Sequence, residues 1–242
     1  MILIDNRNSS DPRVNLALEE YIVRTRKEGD YLLVYVNDPT VVIGKHQNVL
    51  EEVNHTFVGA NGIRLVRRIS GGGAVYHDEG NLNFSLITDH SPEKHNNYLP
   101  FLSPILDLLA TMGVEGKLNN RNSLVLRDGR KFSGNAQFAS RGRMMSHGTL
   151  LFDTNLTALT SVLSPEANVE NSKAVQSVRS DVANLRDQLP GEIDQEAFTQ
   201  ELIRSYAGYS PTVEALAESE WREVEELART KFDSWEWYFG RT

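Results

Sequence analysis

Three short segments hold most of the side chains able to do chemistry. The first runs Arg67-Arg68-Ile69-Ser70-Gly71-Gly72-Gly73-Ala74-Val75-Tyr76-His77-Asp78 and continues through Gly80-Asn81-Leu82-Asn83-Phe84-Ser85. Three glycines in a row expose bare backbone, whose N–H groups can approach an anion closely, with arginine forks beside them. The same triplet would also serve as a tight hairpin turn. The second segment is Arg130-Lys131-Phe132-Ser133-Gly134-Asn135-Ala136-Gln137. Strand alternation would put Lys131, Ser133 and Asn135 on one face, and Phe132, Gly134 and Ala136 on the other. A lysine among small residues can meet a phosphate as an unobstructed point charge, although an exposed hairpin lysine has the same local sequence. The third is Ser146-His147-Gly148-Thr149-Leu150-Leu151-Phe152-Asp153, where a histidine enters an alternating strand and is either chemical or structural.

Several chemistries drop out. The chain has no cysteine, which removes disulfides, thiolate metal sites and every cysteine nucleophile. Histidines 46, 55, 77, 90, 95 and 147 show no metal-ligand spacing, so no protein-bound metal is expected. No GxSxG elbow, GxGxxG turn or GxxxxGK[ST] loop is present.

Charge narrows the ligand. The net charge is −8, yet residues 117–147 carry seven Lys/Arg against one acid, and residues 189–242 carry twelve acids against five Lys/Arg. An acidic chain with a local basic stretch fits a small anionic ligand better than nucleic acid. No apolar run approaches the ~20 residues that span a bilayer. The first residues lack a signal-peptide pattern, so neither a membrane nor export is expected and the location implied is cytoplasmic.

The elements that must position these segments follow from periodicity. Asp11-Pro12 marks a helix start, with Val14, Ala17, Leu18, Tyr21 and Ile22 at helical spacing to about Lys27. Strands are predicted at 31–36, 41–43, 63–69, 74–77, 81–88, 123–127, 130–139 and 144–152, with Asp128-Gly129 as a hairpin turn. Helices are predicted at 99–112, 155–162, about 180–187, 195–207 and 219–232, with Asp194 and Ser219 as caps. Strands grouped first and helices later predict an α+β fold, a mixed and largely antiparallel sheet covered by helices, in one domain over 1–242.

Taken together, R-R-x-S-G-G-G-x-V-Y-H-D-x-G-N-x-N-F-S, R-K-x-S-G-N-A and H-G-T-L-L resemble the lipoate–protein ligase A family, within the biotin/lipoyl ligase fold. Asn15 to Glu20 is similar to that family's first helix, and Thr40 to Asn48 to its T-V-V-I-G-x-x-Q-N block. Lys173 to Leu185 and Ser234 to Gly240 resemble two later blocks, so the resemblance spans nearly the whole chain.

The resemblance implies an AMP-forming acyl ligase. Lipoate and ATP, the latter with Mg2+, would give lipoyl-adenylate, and the lysine of a lipoyl carrier domain would then take the acyl group. The carrier would be a 2-oxoacid dehydrogenase E2 or a glycine-cleavage H-like protein. By the same resemblance Lys131 is the catalytic lysine, meeting the phosphate and the acyl carbonyl. Arg68, Ser70, Gly71, Gly72, Gly73, Ala74, Val75, His77, Asn81, Asn122, Ser133, Gly134, Ala136, His147, Gly148 and Thr149 surround substrate and nucleotide. Tyr35, Val42, Gly44 and His46 line a lipoyl tunnel.

Two departures from the family pattern stand out. Asn120-Arg121-Asn122-Ser123 replaces G-R-N-D, exchanging an aspartate for Ser123. The smaller C-terminal domain that many members carry, which assists activation, is expected to be absent from this chain or a separate protein. Among rivals, octanoyl- and lipoyltransferases use a cysteine that this chain lacks, and biotin ligases need a G-R-G-R-x-G-R-like loop. A non-catalytic adapter that binds nucleotide or lipoyl domains is the alternative from another class.

Overall fold

The computed structural model describes residues 1–165 and 174–239. Lys173 and Gly240, the ends of two blocks singled out above, lie outside the described residues. The chain begins with strand β1 (Ile2–Ile4), then helix α1 (Pro12–Thr25), whose first turn is closed by the Asp11 carboxylate accepting from the Arg13 N–H. Next come β2 (Tyr31–Val36), β3 (Thr40–Ile43), short helices α2 (Val49–Glu52) and α3 (His55–Ala60), β4 (Arg64–Arg67), β5 (Val75–His77) and β6 (Asn81–Asp89). Helix α4 (Leu99–Thr111) leads to β7 (Gly116–Leu118), β8 (Ser123–Leu126), β9 (Lys131–Ser140) and β10 (Arg143–Leu151). The remainder is α5 (Leu156–Val162), α6 (Gln195–Ala207), β11 (Thr212–Glu214), α7 (Glu218–Leu227) running into a π turn at Ala228–Phe232, and α8 (Trp235–Tyr238).

Eight strands form one sheet in the order β11-β1-β2-β6-β10-β9-β8-β7, and three form a second in the order β4-β3-β5. Pairings β1–β11, β1–β2 and β3–β4 are parallel and the other strand pairs antiparallel, which is the mixed, largely antiparallel fold the sequence predicts. Strand alternation sorts the core. Leu32, Phe84, Leu86, Met144 and Phe132 pack on one face beneath α4 and α6. Tyr31, Leu33, Tyr35, Ile87 and Met145 pack on the other against α1, α7 and Val42 and Val66 of the small sheet. The far face of the small sheet, Val41 and Ile43, packs on Val49, Val58 and Val162. A gap between the two sheets is thereby left over the middle of β2, β6 and β10.

Two expectations need correction. Residues 180–187 are not a helix: the Lys131 N–H donates to the Asp181 carbonyl (2.8 Å) and Ala183 N–H to the Lys131 carbonyl (3.0 Å), so residues 181–183 run extended beside β9 and the chain then turns at 185–188. The start of α7 is set at Ala217, whose N–H donates to the Glu220 carboxylate (2.9 Å), and not at Ser219.

One side chain ties the small sheet to the end of the described chain. Arg67, fully buried, donates to the carbonyls of Gly44 (2.8 Å), Gln47 (2.7 Å) and Tyr238 (2.7 Å), while Trp237 Nε1–H donates to the Arg67 carbonyl (2.7 Å). Arg67→Met leaves those buried carbonyls without a charged donor and is expected to destabilise by about 3 kcal/mol. The thermal midpoint should drop by roughly 6–12 °C; a midpoint equal to wild type in calorimetry would refute this tie.

Candidate active site

The gap between the sheets is a cavity of about 420 Å³. Its floor is set by strand register: Tyr35 faces Asn83 and Asn83 faces Thr149 across β2, β6 and β10. One row along, His147 stands opposite Ala136 of β9. The glycine loop, residues 72–75, forms the opposite wall with Arg68, Val42 and His77. Lys131, Gly134, Asn122, Ser123 and residues 175–178 also line it.

Arg68 builds the loop from beneath. Its guanidinium donates to the carbonyls of Gly71 (2.6 Å), Gly73 (2.8 Å) and Val42 (3.1 Å), and its Nε–H to Ser70 Oγ (3.0 Å). With those carbonyls turned inward, the N–H groups of Gly71, Gly72 and Gly73 have no partner among the described residues. Gly72 sits at φ +89°, and a Cβ at Gly44 would lie 2.0 Å from the Gly72 carbonyl oxygen, so the loop rests directly on bare backbone. Ser177 straps it from above, its Oγ accepting from Ala74 N–H (2.8 Å) and from Gln47 Nε2 (3.0 Å).

Lys131 shares the cavity with Gly134, contrary to strict alternation. A register irregularity between Leu124 and Val125 on β8 intervenes, and Phe132 alone turns into the core. A Cβ at Gly134 would stand 3.0 Å from Lys131 Nζ, so the glycine makes room for the ammonium. Lys131 has no carboxylate partner among the described residues, and no Asp or Glu lines the cavity there. Burial, then the charge of Arg68, pushes the Lys131 ammonium below its ordinary range. Burial likewise brings Arg68 down to about 10. Two desolvated cations in one carboxylate-free cleft are relieved by a bound anion.

Both histidines are buried and oriented from α1. His147 Nδ1 lies 3.0 Å from Glu19 Oε2, and its Nε2 2.6 Å from Ser70 Oγ. Tyr35 also donates to Glu19 (3.2 Å), and its hydroxyl pKa is raised by burial and then by the Glu19 charge. His77 Nδ1 lies 3.0 Å from Asn37 Nδ2, and its Nε2 is buried with no partner among the described residues. An unmade buried donor of this kind costs about 1–3 kcal/mol.

Of the other residues predicted from sequence, Ala74, Val75, Ala136, Gly148 and Thr149 lie on the cavity wall. Ser133 lines a smaller adjoining cavity of about 180 Å³ that also reaches Lys131. Ser70 and Gly44 are buried behind the wall, and Gly71 precedes the lining part of the loop. Two positions are not brought to the cavity: His46 is exposed, and Asn81 is buried, donating to Asn83 Oδ1 (3.0 Å). Asn83 is the asparagine that reaches the cavity. Sequence reasoning missed Glu19, Asn37, Asn83 and Ser177. Glu19 carried a signal, since Asn15 and Glu19 are polar residues one turn apart on an otherwise apolar buried stripe. No group of three or more His, Asp or Glu able to hold a metal occurs among the described residues, and no helix among them is long and apolar enough to cross a membrane.

A cation-walled cleft over a mixed sheet, with a glycine loop on one side and a lone lysine on the other, defines a site for an anionic, phosphate-bearing ligand. A family profile for the lipoyl protein ligase A/B catalytic domain matches residues 11–207, and the chain belongs to that family of lipoate–protein ligases, which are enzymes. It is 44% identical to lipoate-protein ligase LplJ of Bacillus subtilis and 40% identical to lipoate–protein ligase 1 of Staphylococcus aureus, covering 100% of this chain and 74% of each relative. Among solved structures, a bi-partite lipoate protein ligase from Thermoplasma acidophilum is similar at a TM-score of 0.83 and 27% identity, over 100% of this chain and 96% of that one. A lipoate-protein ligase A bound with ATP is similar at 0.82 and 26%, over 100% and 98%.

The buried neutral His77 also sets a pH dependence. Burial, then the charges of Arg68 and His147, hold it down at about 3 against an ordinary 6.5. Between those values the unfolded chain binds a proton that the folded chain refuses, so this part of the stability is complete above 6.5 and is lost as pH falls toward 3. The thermal midpoint should fall through this window, and His77→Gln should flatten the fall; an identical slope in the variant would count against a neutral His77.

Proposed function

We propose that this chain activates lipoate with ATP and transfers the acyl group to the lysine of a lipoyl carrier domain. The lipoate carboxylate attacks the α-phosphorus and pyrophosphate leaves; the carrier amine then attacks the acyl carbonyl, the C–N bond forms and AMP leaves. The observation that carries this reading is the placement of Lys131 beside Gly134 in one cavity with the glycine loop, whose N–H groups have no partner among the described residues. In our reading Lys131 holds the charge of the phosphate and the developing carbonyl oxyanion, while Arg68 shapes the loop that receives the remaining phosphate oxygens. Lys131 is an electrostatic clamp and not a base, because an adjacent phosphate favours the charged ammonium. Tyr35, Val42 and Asn83 would border the acyl chain. With no metal cluster among the described residues, Mg2+ is assigned to the nucleotide phosphates, with Ser123 at the position where the family pattern has aspartate.

The partner under this reading is a lipoyl domain of a 2-oxoacid dehydrogenase E2 or a glycine-cleavage H-like protein, in the cytoplasm. The test is mass spectrometry of an apo lipoyl domain incubated with the chain, lipoate and Mg-ATP, beside a sample given pre-made lipoyl-adenylate. A lipoyl mass increment in both samples supports a ligase that performs both steps. An increment with the adenylate alone supports transfer here and activation assisted by a separate domain. No increment in either overturns the reading in favour of a non-catalytic adapter. Lys131→Ala should lower the rate by about 10²–10³-fold, as for loss of one preorganised oxyanion donor, with a thermal midpoint no lower than wild type; wild-type rates in that variant would remove Lys131 from the chemistry.

A further inference from the structure

His77 stands at the end of a chain of two buried side-chain amides, Asn15 and Asn37, whose orientations are fixed from one backbone carbonyl. The Ser9 carbonyl can only accept, so the Asn15 atom 2.8 Å from it is the amide nitrogen. The same nitrogen lies 2.9 Å from Asn37, which must therefore turn its oxygen toward Asn15. Asn6 Nδ2 reaches both the Ser9 carbonyl (3.1 Å) and Asn15 Oδ1 (3.1 Å), which agrees with that orientation. Asn37 is left with its NH2 facing His77 Nδ1 at 3.0 Å. Two donors cannot face one another, so Nδ1 accepts and the ring proton is on Nε2. Asn15, Asn37 and His77 are all buried, His77 is part of the cavity wall, and its Nε2 has no partner among the described residues.

We propose that Asn15 and Asn37 are positioning residues that lock His77 in the Nε2–H tautomer, so that His77 donates its ring N–H to an acceptor oxygen of the acyl substrate or its adenylate. The donor half rests on the lipoate reading above; the tautomer half does not. A neutral ring with a fixed N–H suits a carboxyl or phosphoryl oxygen and discriminates against a ligand that presents a donor there. His147 is held the opposite way, since Glu19 at 3.0 Å from Nδ1 places the proton of the neutral ring on that nitrogen.

The test is 15N spectroscopy of the histidine rings in the full chain, free and with lipoate or pre-made lipoyl-adenylate. In the free protein His77 should show a protonated Nε2 and an unprotonated Nδ1, and ligand should shift the Nε2–H proton. Asn37→Asp is nearly isosteric and still accepts from Asn15, but its carboxylate draws the proton to Nδ1. The variant should swap the two nitrogen signatures and weaken lipoyl-adenylate binding by about 10–100-fold, the range for one hydrogen bond to a charged acceptor. His77→Gln retains an N–H near the Nε2 position and should bind within a few-fold of wild type, whereas His77→Phe should lose the 10–100-fold. A proton on Nδ1 in the free wild-type protein would overturn the relay. A chain that binds lipoate with no change at Nε2–H, or a His77→Phe variant that binds like wild type, would overturn the donor role and leave the lipoate reading standing. A chain that binds neither lipoate nor its adenylate would overturn both that reading and the donor role.

Discussion

Two adjacent buried guanidiniums, Arg67 and Arg68, are the constraint on which the site depends. A buried cation needs its N–H groups filled, and here backbone carbonyls fill them in place of carboxylates. Arg67 gathers the carbonyls of Gly44, Gln47 and Tyr238, and Arg68 those of Val42, Gly71 and Gly73. The consequence is geometric: once its carbonyls point at Arg68, the glycine loop has its N–H groups left for a ligand. The same arrangement spends the Arg68 fork on the loop, which leaves Lys131 and Arg121 as the cations on the cavity wall that have no carboxylate partner among the described residues and no loop carbonyl to hold.

Helix α1 supplies the second layer of control. Asn15 and Glu19 stand one turn apart on its buried face, and each addresses one of the two site histidines, through Asn37 in one case and directly in the other. A neutral amide and a carboxylate are not equivalent partners: the amide N–H forces Nδ1 to accept, and the carboxylate forces it to donate. Two histidines a short distance from one cavity are thereby assigned opposite hydrogen-bonding roles by residues that do not face the cavity themselves.

Much of this was legible in the sequence, and what was not has physical causes. Local signals were sufficient for α1, with its Asp11-Pro12 start, and for the β8–β9 hairpin, where Gly129 takes φ +92°. Strands β1 and β11 are three residues each and pair in parallel with segments distant in sequence, so neither carries a period long enough to detect. Residues 180–187 carry helix-compatible spacing, but pairing to the Lys131 backbone overrides it. At the site, a row of residue types identified the glycine loop, Lys131 and His147. Asn37, Asn83 and Ser177 were given no site role because each matters through a partner more than 35 residues away. His46 shows the converse: its motif is intact, while its side chain faces outward.

The free site concentrates what folding ordinarily avoids. Lys131 is desolvated without a counter-ion among the described residues, the Gly71 to Gly73 N–H groups have no acceptor there, and His77 Nε2–H is buried unpaired. The desolvated ammonium and the buried ring N–H lower the stability of the empty chain, and all three features are complementary to the same kind of group, an oxygen bearing negative charge. Lys131, the glycine loop and His77 line one cavity, which is evidence about the ligand independent of any sequence likeness: an anion offering several acceptor oxygens suits them all. Binding such an anion draws on stability that the fold has already given up, which couples ligand affinity directly to the folding equilibrium. A chain of this design gains most from a ligand whose charge persists through the reaction, and an acyl phosphate ester that keeps one phosphate charge from formation to transfer meets that requirement.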